Sequence, residues 1–91
     1  MSSQPLFPIG KLVMTCGVAD TGFSFDELLS IIRRHITGDF GIIDEEGRQE
    51  NFLSIREGYR ILSAYKINDT KLWVITEADR SVTTILFPEE Y

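Results

Sequence analysis

Two carboxylates and a guanidinium fall within four residues at Glu77-Ala78-Asp79-Arg80, and Arg60 lies seventeen positions before Glu77. A carboxylate beside an arginine can take a proton and steady the charge that develops on a phosphoryl group. The same composition also suits a hairpin tip, where Asp79 would accept from nearby backbone N–H groups and its neighbours stay wet. The tip is the preferred reading. His35, the sole histidine, precedes Asp39 by four residues. An imidazole beside a carboxylate is a base or a metal ligand, but a histidine at a helix end also offsets the helix dipole.

Asp39, Asp44, Glu45 and Glu46 form an acidic run that offers oxygens to a hard cation, without the loop spacing of an EF-hand. Asp44 to Glu46 equally suit a helix N-terminus, so no metal is expected there. Cys16 is the one cysteine. No histidine lies near it in sequence, and it reads as a small buried hydrophobe rather than a nucleophile. Trp73, Tyr65 and Tyr59 are either core or an aromatic platform for a partner.

These side chains must be positioned by a small set of elements. Residues 1–9, with Pro5 and Pro8, read as an extended arm, and 10–91 as a single domain. The apolar run Leu12-Val13-Met14 predicts a short strand over about 11–16. Ser24 and Glu27 make a capping box, with Phe23 and Leu28 placed to staple the entry. Phe25, Leu28, Leu29, Ile32 and Ile36 form the stripe of a first helix that Gly38 ends. A second helix is expected from Asp44 to Gly58, burying Phe52, Ile55 and Tyr59.

From Tyr59 the period becomes that of strands: YRILSAYKI, TKLWVITE and SVTTILF, joined at Asn68-Asp69-Thr70 and at Glu77 to Ser81. Period-two alternation sets Trp73 and Ile75 against Leu72, Val74 and Thr76. The expected architecture is an α+β layer fold, β-α-α-β-β-β, with a helix pair on a mainly antiparallel sheet ending in a three-stranded meander. A helix pair covers only one face. The other is expected to be shielded by the arm or to bind a partner.

Composition narrows the function. With 91 residues the chain is one domain, and it buries only about 60–65% of its unfolded surface. A net charge of −5 disfavours general nucleic-acid binding and attachment to anionic membranes. One cysteine permits no intrachain disulfide and fits a reduced, cytoplasmic compartment. The opening MSSQPLFPIGK lacks the pattern of a signal peptide, and no run is long enough to span a membrane. No cofactor motif is present.

HITGDFGIIDEE, GYRILSAYKI and LWVITEADRSVTTILFPEEY, together roughly residues 34–91, resemble a family of small proteins from plasmids and other bacterial mobile elements. That family often has tryptophan where this chain has Phe40. The resemblance implies a setting, an accessory or counter-defence role, rather than a mechanism. RILSAY and WVITEADRSVTTIL are similar at fold level to the barnase and RelE-like ribonucleases, which implies a base, an arginine and often a histidine on the last hairpin. Here that set would be Glu77, Arg80 and Arg60, with His35 supplied from a helix, since the hairpin has no histidine. Fold analogy alone does not establish activity.

The favoured expectation is therefore a non-enzymatic protein that binds another protein through a sheet face marked by Trp73, Ile75 and Tyr65, or through the acidic second helix. A ribonuclease-like toxin or a degenerate relative is the alternative. A homodimer through open strand edges is a third arrangement.

Overall fold

The computed structural model describes residues 4–91. Strand β1 (Lys11–Met14) is followed by helices α1 (Cys16–Thr21), α2 (Phe25–Ile36) and α3 (Glu45–Glu57). Strands β2 (Ile61–Ile67), β3 (Thr70–Thr76) and β4 (Val82–Leu86) complete the sheet, and a single 3-10 turn spans Pro88–Glu90. The sheet order is β1-β4-β3-β2, with β2, β3 and β4 an antiparallel meander and β1 parallel to β4. The α+β class and the C-terminal meander hold as expected from the sequence, with one helix more.

That extra helix replaces the end of the first expected strand. Thr15 N still donates to the Ile85 carbonyl of β4, but its side chain caps α1, Oγ1 accepting from the Val18 N–H at 3.3 Å. Only Val18 of this helix is buried, so no periodic stripe announces it. Helix α2 begins as its capping box predicts: Ser24 Oγ accepts from Glu27 N at 3.1 Å and Glu27 Oε1 from Ser24 N at 2.8 Å. Its buried stripe is turned from the expected one. Leu28, Ile31, Ile32 and His35 face the core, while Phe25 is 75% exposed.

Helix α3 runs from the Asp44 cap to Gly58 as expected, but it buries Asn51 and Ser54. Phe52 and Tyr59 stay exposed. The Asn51 amide donates to the Leu62 carbonyl at 2.7 Å and accepts from the Leu62 N–H at 3.1 Å, as a neighbouring strand would. One step along, Ala64 donates to the Phe40 carbonyl and accepts from Ile42 N. Gly41 makes that approach possible. It has φ +77°, and a Cβ there would stand 2.0 Å from the Ala64 carbonyl oxygen. The β2 edge is thus closed at two successive outward-facing residues.

The main core lies between α2 and the sheet: Leu28, Ile31 and Ile32 against Tyr65, Leu72, Val74 and Ile85, with Val18 from α1. A second cluster joins Phe7, Phe40 and Ile61. Phe7 carries the N-terminal segment onto the helix side of the sheet, where its ring meets His35 edge-on at 5.1 Å. Residues 4–9 of the expected arm, whose first three residues lie outside the described residues, therefore do not shield the opposite face. Pro88–Tyr91 lies there instead.

Candidate functional site

The cross-strand register divides the side chains cleanly. Ile61, Ser63 and Tyr65 of β2 share the helix side with Leu72, Val74 and Thr76 of β3 and Thr83 and Ile85 of β4. The outer side carries Leu62, Ala64 and Lys66 of β2, Lys71, Trp73 and Ile75 of β3, Val82, Thr84 and Leu86 of β4, and Lys11 and Val13 of β1. Trp73 sits between Ala64 and Leu86, and Ile75 between Leu62 and Thr84. Two of the three expected partner-binding residues, Trp73 and Ile75, therefore share the outer side, with Ile75 itself buried and Trp73 half-buried. Tyr65 does not join them. It is buried on the helix side, and its hydroxyl donates to the Asp39 carbonyl at 2.7 Å. Burial raises its phenol pKa above the ordinary range.

The ribonuclease set is divided. Arg60 and Glu77 meet on the outer side, Nη2 to Oε1 at 3.2 Å, and Arg60 also donates to the Tyr91 hydroxyl at 2.6 Å. Arg80 is occupied elsewhere. Its guanidinium donates to the carbonyls of Tyr59 (2.7 Å), Glu77 (3.1 Å), Ala78 (3.2 Å) and Ser54 (2.9 Å), tying the β3–β4 loop to the end of α3. Asp79 shapes the same loop, accepting from the Ser81 hydroxyl and N–H. Those bonds hold its carboxyl below the usual carboxylate range.

His35 has no exposed surface. Its Nδ1 lies 2.6 Å from Ser63 Oγ and its Nε2 2.9 Å from Thr76 Oγ1. Thr76 in turn lies 2.7 Å from Thr83 Oγ1, which donates to the Ile9 carbonyl. The carbonyl fixes every proton in the chain. It can only accept, so Thr83 donates to it and must accept from Thr76. Thr76 must then accept from an Nε2–H, which leaves Nδ1 to accept from Ser63. His35 is thus the neutral Nε2–H tautomer, and burial pushes its pKa down to about 4. It is a structural strut, with no side turned to solvent for acid–base work.

The remaining candidates have local duties. Asp39 pairs with Arg34 at 2.8 Å and accepts from Gly41 N, contacts that lower its pKa. Asp44 caps α3, and Glu45 accepts from Arg48 and Gln49. Among the described residues no cluster of three His, Cys, Asp or Glu side chains is placed to hold a metal. Cys16 is exposed at the start of α1, not buried. No helix of the described residues is long and apolar enough to cross a membrane.

The outer side is crossed by the chain's own last residues. After β4, the turn at Pro88–Glu90 brings the Tyr91 ring to 5.5 Å from the Trp73 ring. Glu90 Oε1 accepts from Phe87 N and from Thr15 Oγ1, anchoring the turn. Tyr91 itself remains 68% exposed.

Charge is unevenly spread between the two sides. Residues 15–59, the helical layer and its loops, contain nine acidic and four basic side chains, while the rest of the chain contains five of each. The whole net charge thus belongs to the helical layer. All three lysines, Lys11, Lys66 and Lys71, are on the outer side of the sheet. Reading the sequence for acids and aromatics passes over them. Their signal is the spacing around Asn68-Asp69: a two-residue turn makes Lys66 and Lys71 direct cross-strand partners.

No family model matches the chain, and no curated protein or solved structure matches it.

Proposed function

We propose that this chain is a non-enzymatic protein-interaction module, an accessory protein of a bacterial mobile element, which docks a protein partner on the outer side of its sheet. One observation carries the reading. Three helices and residues 4–9 pack on one side of the sheet, whereas the other side carries an apolar band of Leu62, Trp73, Thr84 and Val13 around the buried Ile75, with only Pro88–Tyr91 laid over it among the described residues. A half-buried tryptophan in an apolar band with a charged margin is the usual composition of an interface centre. The mobile-element setting rests on the likeness of residues 34–91 given above, and a counter-defence role in the cytoplasm fits it.

The ribonuclease alternative has less support, because Arg80 serves four carbonyls and His35 is enclosed. A homodimer remains compatible through β1. Lys11 N donates to the Ser81 carbonyl just before β4 and Thr15 N to the Ile85 carbonyl, so the N–H and C=O groups of Leu12 and Met14 face outward along the sheet edge.

Affinity capture of the tagged chain from host lysate, with and without nuclease, tests the reading when run beside Thr84→Arg. That substitution places a bulky charge in the band at a half-exposed position. A protein retained by the wild-type chain after nuclease and lost with Thr84→Arg supports the proposal. A partner that withstands Thr84→Arg, or a product that vanishes with nuclease, contradicts it.

A further inference from the structure

We infer that Lys66 and Lys71 anchor the acidic part of an extended, aromatic-containing segment of the partner, seated on the Trp73 band. This rests on the outer side being the docking surface and adds the chemistry of what docks.

The two lysines are register partners. In a two-residue hairpin they form the non-hydrogen-bonded pair next to the closing pair, where Cα atoms stand about 4.5 Å apart and side chains are closest. Like charges placed directly opposite each other work against the sheet. Neither lysine takes part in an ion pair among the described residues, whose four ion pairs all use arginine. A lysine on the β2 edge would by itself serve to deter strand pairing. Lys71 has no such duty, because β3 lies inside the sheet. The pair concentrates positive charge at one end of the apolar band, with Trp73 one outward-facing position further along β3. Lys66 also borders a cleft that Asp26 and Glu27 of α2 line, without pairing with either.

The segment that already lies on this side shows what the surface accepts. It contains Glu89, Glu90 and Tyr91, with an aromatic ring on Trp73, a hydroxyl on Arg60 and a carboxylate against Thr15. The strongly acidic helical layer repels an anionic partner and directs it to the sheet. A single-stranded nucleic acid shares the anionic and aromatic character. Against it, such binders use a long basic groove with aromatic faces open to successive bases. Here the positive charge is local, and the Trp73 ring is already in T-shaped contact with Tyr91.

The test uses the full chain and three fluorescent probes: a synthetic peptide alternating glutamate with tyrosine, its lysine-for-glutamate counterpart, and an oligo-dT. Binding is read by anisotropy at low salt. The acidic peptide is expected to bind at least roughly tenfold more tightly than either other probe. The double substitution Lys66→Glu with Lys71→Glu should abolish that preference, and Lys66→Arg with Lys71→Arg should keep it. Both lysines are exposed, so folding is not at risk. Tighter oligo-dT binding overturns the inference in favour of nucleic acid, and so does no response to the acidic peptide. If the acidic peptide binds equally well to the Glu double variant yet is lost with Thr84→Arg, the lysine anchor falls while the docking surface stands.

Discussion

The Trp73 and Tyr91 rings meet with centroids 5.5 Å apart and planes inclined by 65°. Trp73 is the sole tryptophan, so tryptophan fluorescence reports on the surroundings of this one indole. Tyr91→Ala should shift the emission to longer wavelength by admitting water to the indole. Because Tyr91 is mostly exposed, the stability loss should stay within about 0.5–1.5 kcal/mol, the range for an aromatic pair. Emission spectra and urea titration check both parts.

His35 makes the fold sensitive to acid. Its pKa is about 4 in the folded chain against an ordinary 6.5. The unfolded chain therefore takes up the proton first as pH falls. The contribution of the neutral imidazole is complete above pH 6.5 and is lost progressively down to pH 4, a change of roughly 3 kcal/mol. In His35→Gln the amide can keep one of the two hydroxyl partners. That variant should be less stable at pH 7.5, yet show a flatter profile between pH 6.5 and 4.5. Urea midpoints across this range provide the comparison.

Asn51 stands in for a strand at the β2 edge. Asn51→Ala leaves the Leu62 N–H and C=O without partners and should cost about 1–3 kcal/mol. It also reopens the edge, so light scattering should detect self-association that the wild-type chain lacks through β2.

Arg80 is a loop clamp with φ +62°. Arg80→Ala should destabilise by roughly 2 kcal/mol, because carbonyls of the loop and of α3 lose a charged donor. Arg80→Lys should recover only part of this, since one ammonium cannot span Tyr59 and Ser54 together. Denaturation midpoints of the two variants give the ranking.

Lys71→Glu converts a like-charge pair into an opposite-charge one. Stability should rise by about 0.2–1 kcal/mol, with the gain shrinking as salt is added. A stabilising substitution at an exposed position is what a surface shaped for binding rather than for stability should yield.

Much of this architecture can be read in the residues. The Ser24–Glu27 box, the Asp44 cap, Gly58 and the alternation around Trp73 are local signals, and each element they mark is present. What escapes the sequence is set by long-range partners. Phe25 and Leu28 look equivalent on a helical wheel, but Phe25 is exposed because α2 turns Ile31 and His35 to the sheet instead. A histidine in a buried stripe contradicts simple hydropathy. It is tolerated only because Ser63, Thr76 and Thr83, distant in sequence, assemble a hydrogen-bond chain for it. α3 sets Ile55 against the Phe7, Phe40 and Ile61 cluster as its apolar positions suggest, but its most buried residue is Asn51, because part of its partner is an unpaired strand edge. The sequence places Arg80 in a hairpin tip, with a catalytic guanidinium as the alternative, but the Tyr59 and Ser54 carbonyls that claim it lie too far along the chain to be read there.

The central claim is that the outer side of the sheet contacts another protein in the cell. A photo-crosslinking amino acid placed at Thr84 tests it directly, with the same residue at Arg48 on α3 as the comparison position. A discrete, nuclease-resistant adduct from Thr84 and none from Arg48 is the expected result. An adduct from Arg48 alone, or from neither position while the chain is folded and abundant, would contradict the claim.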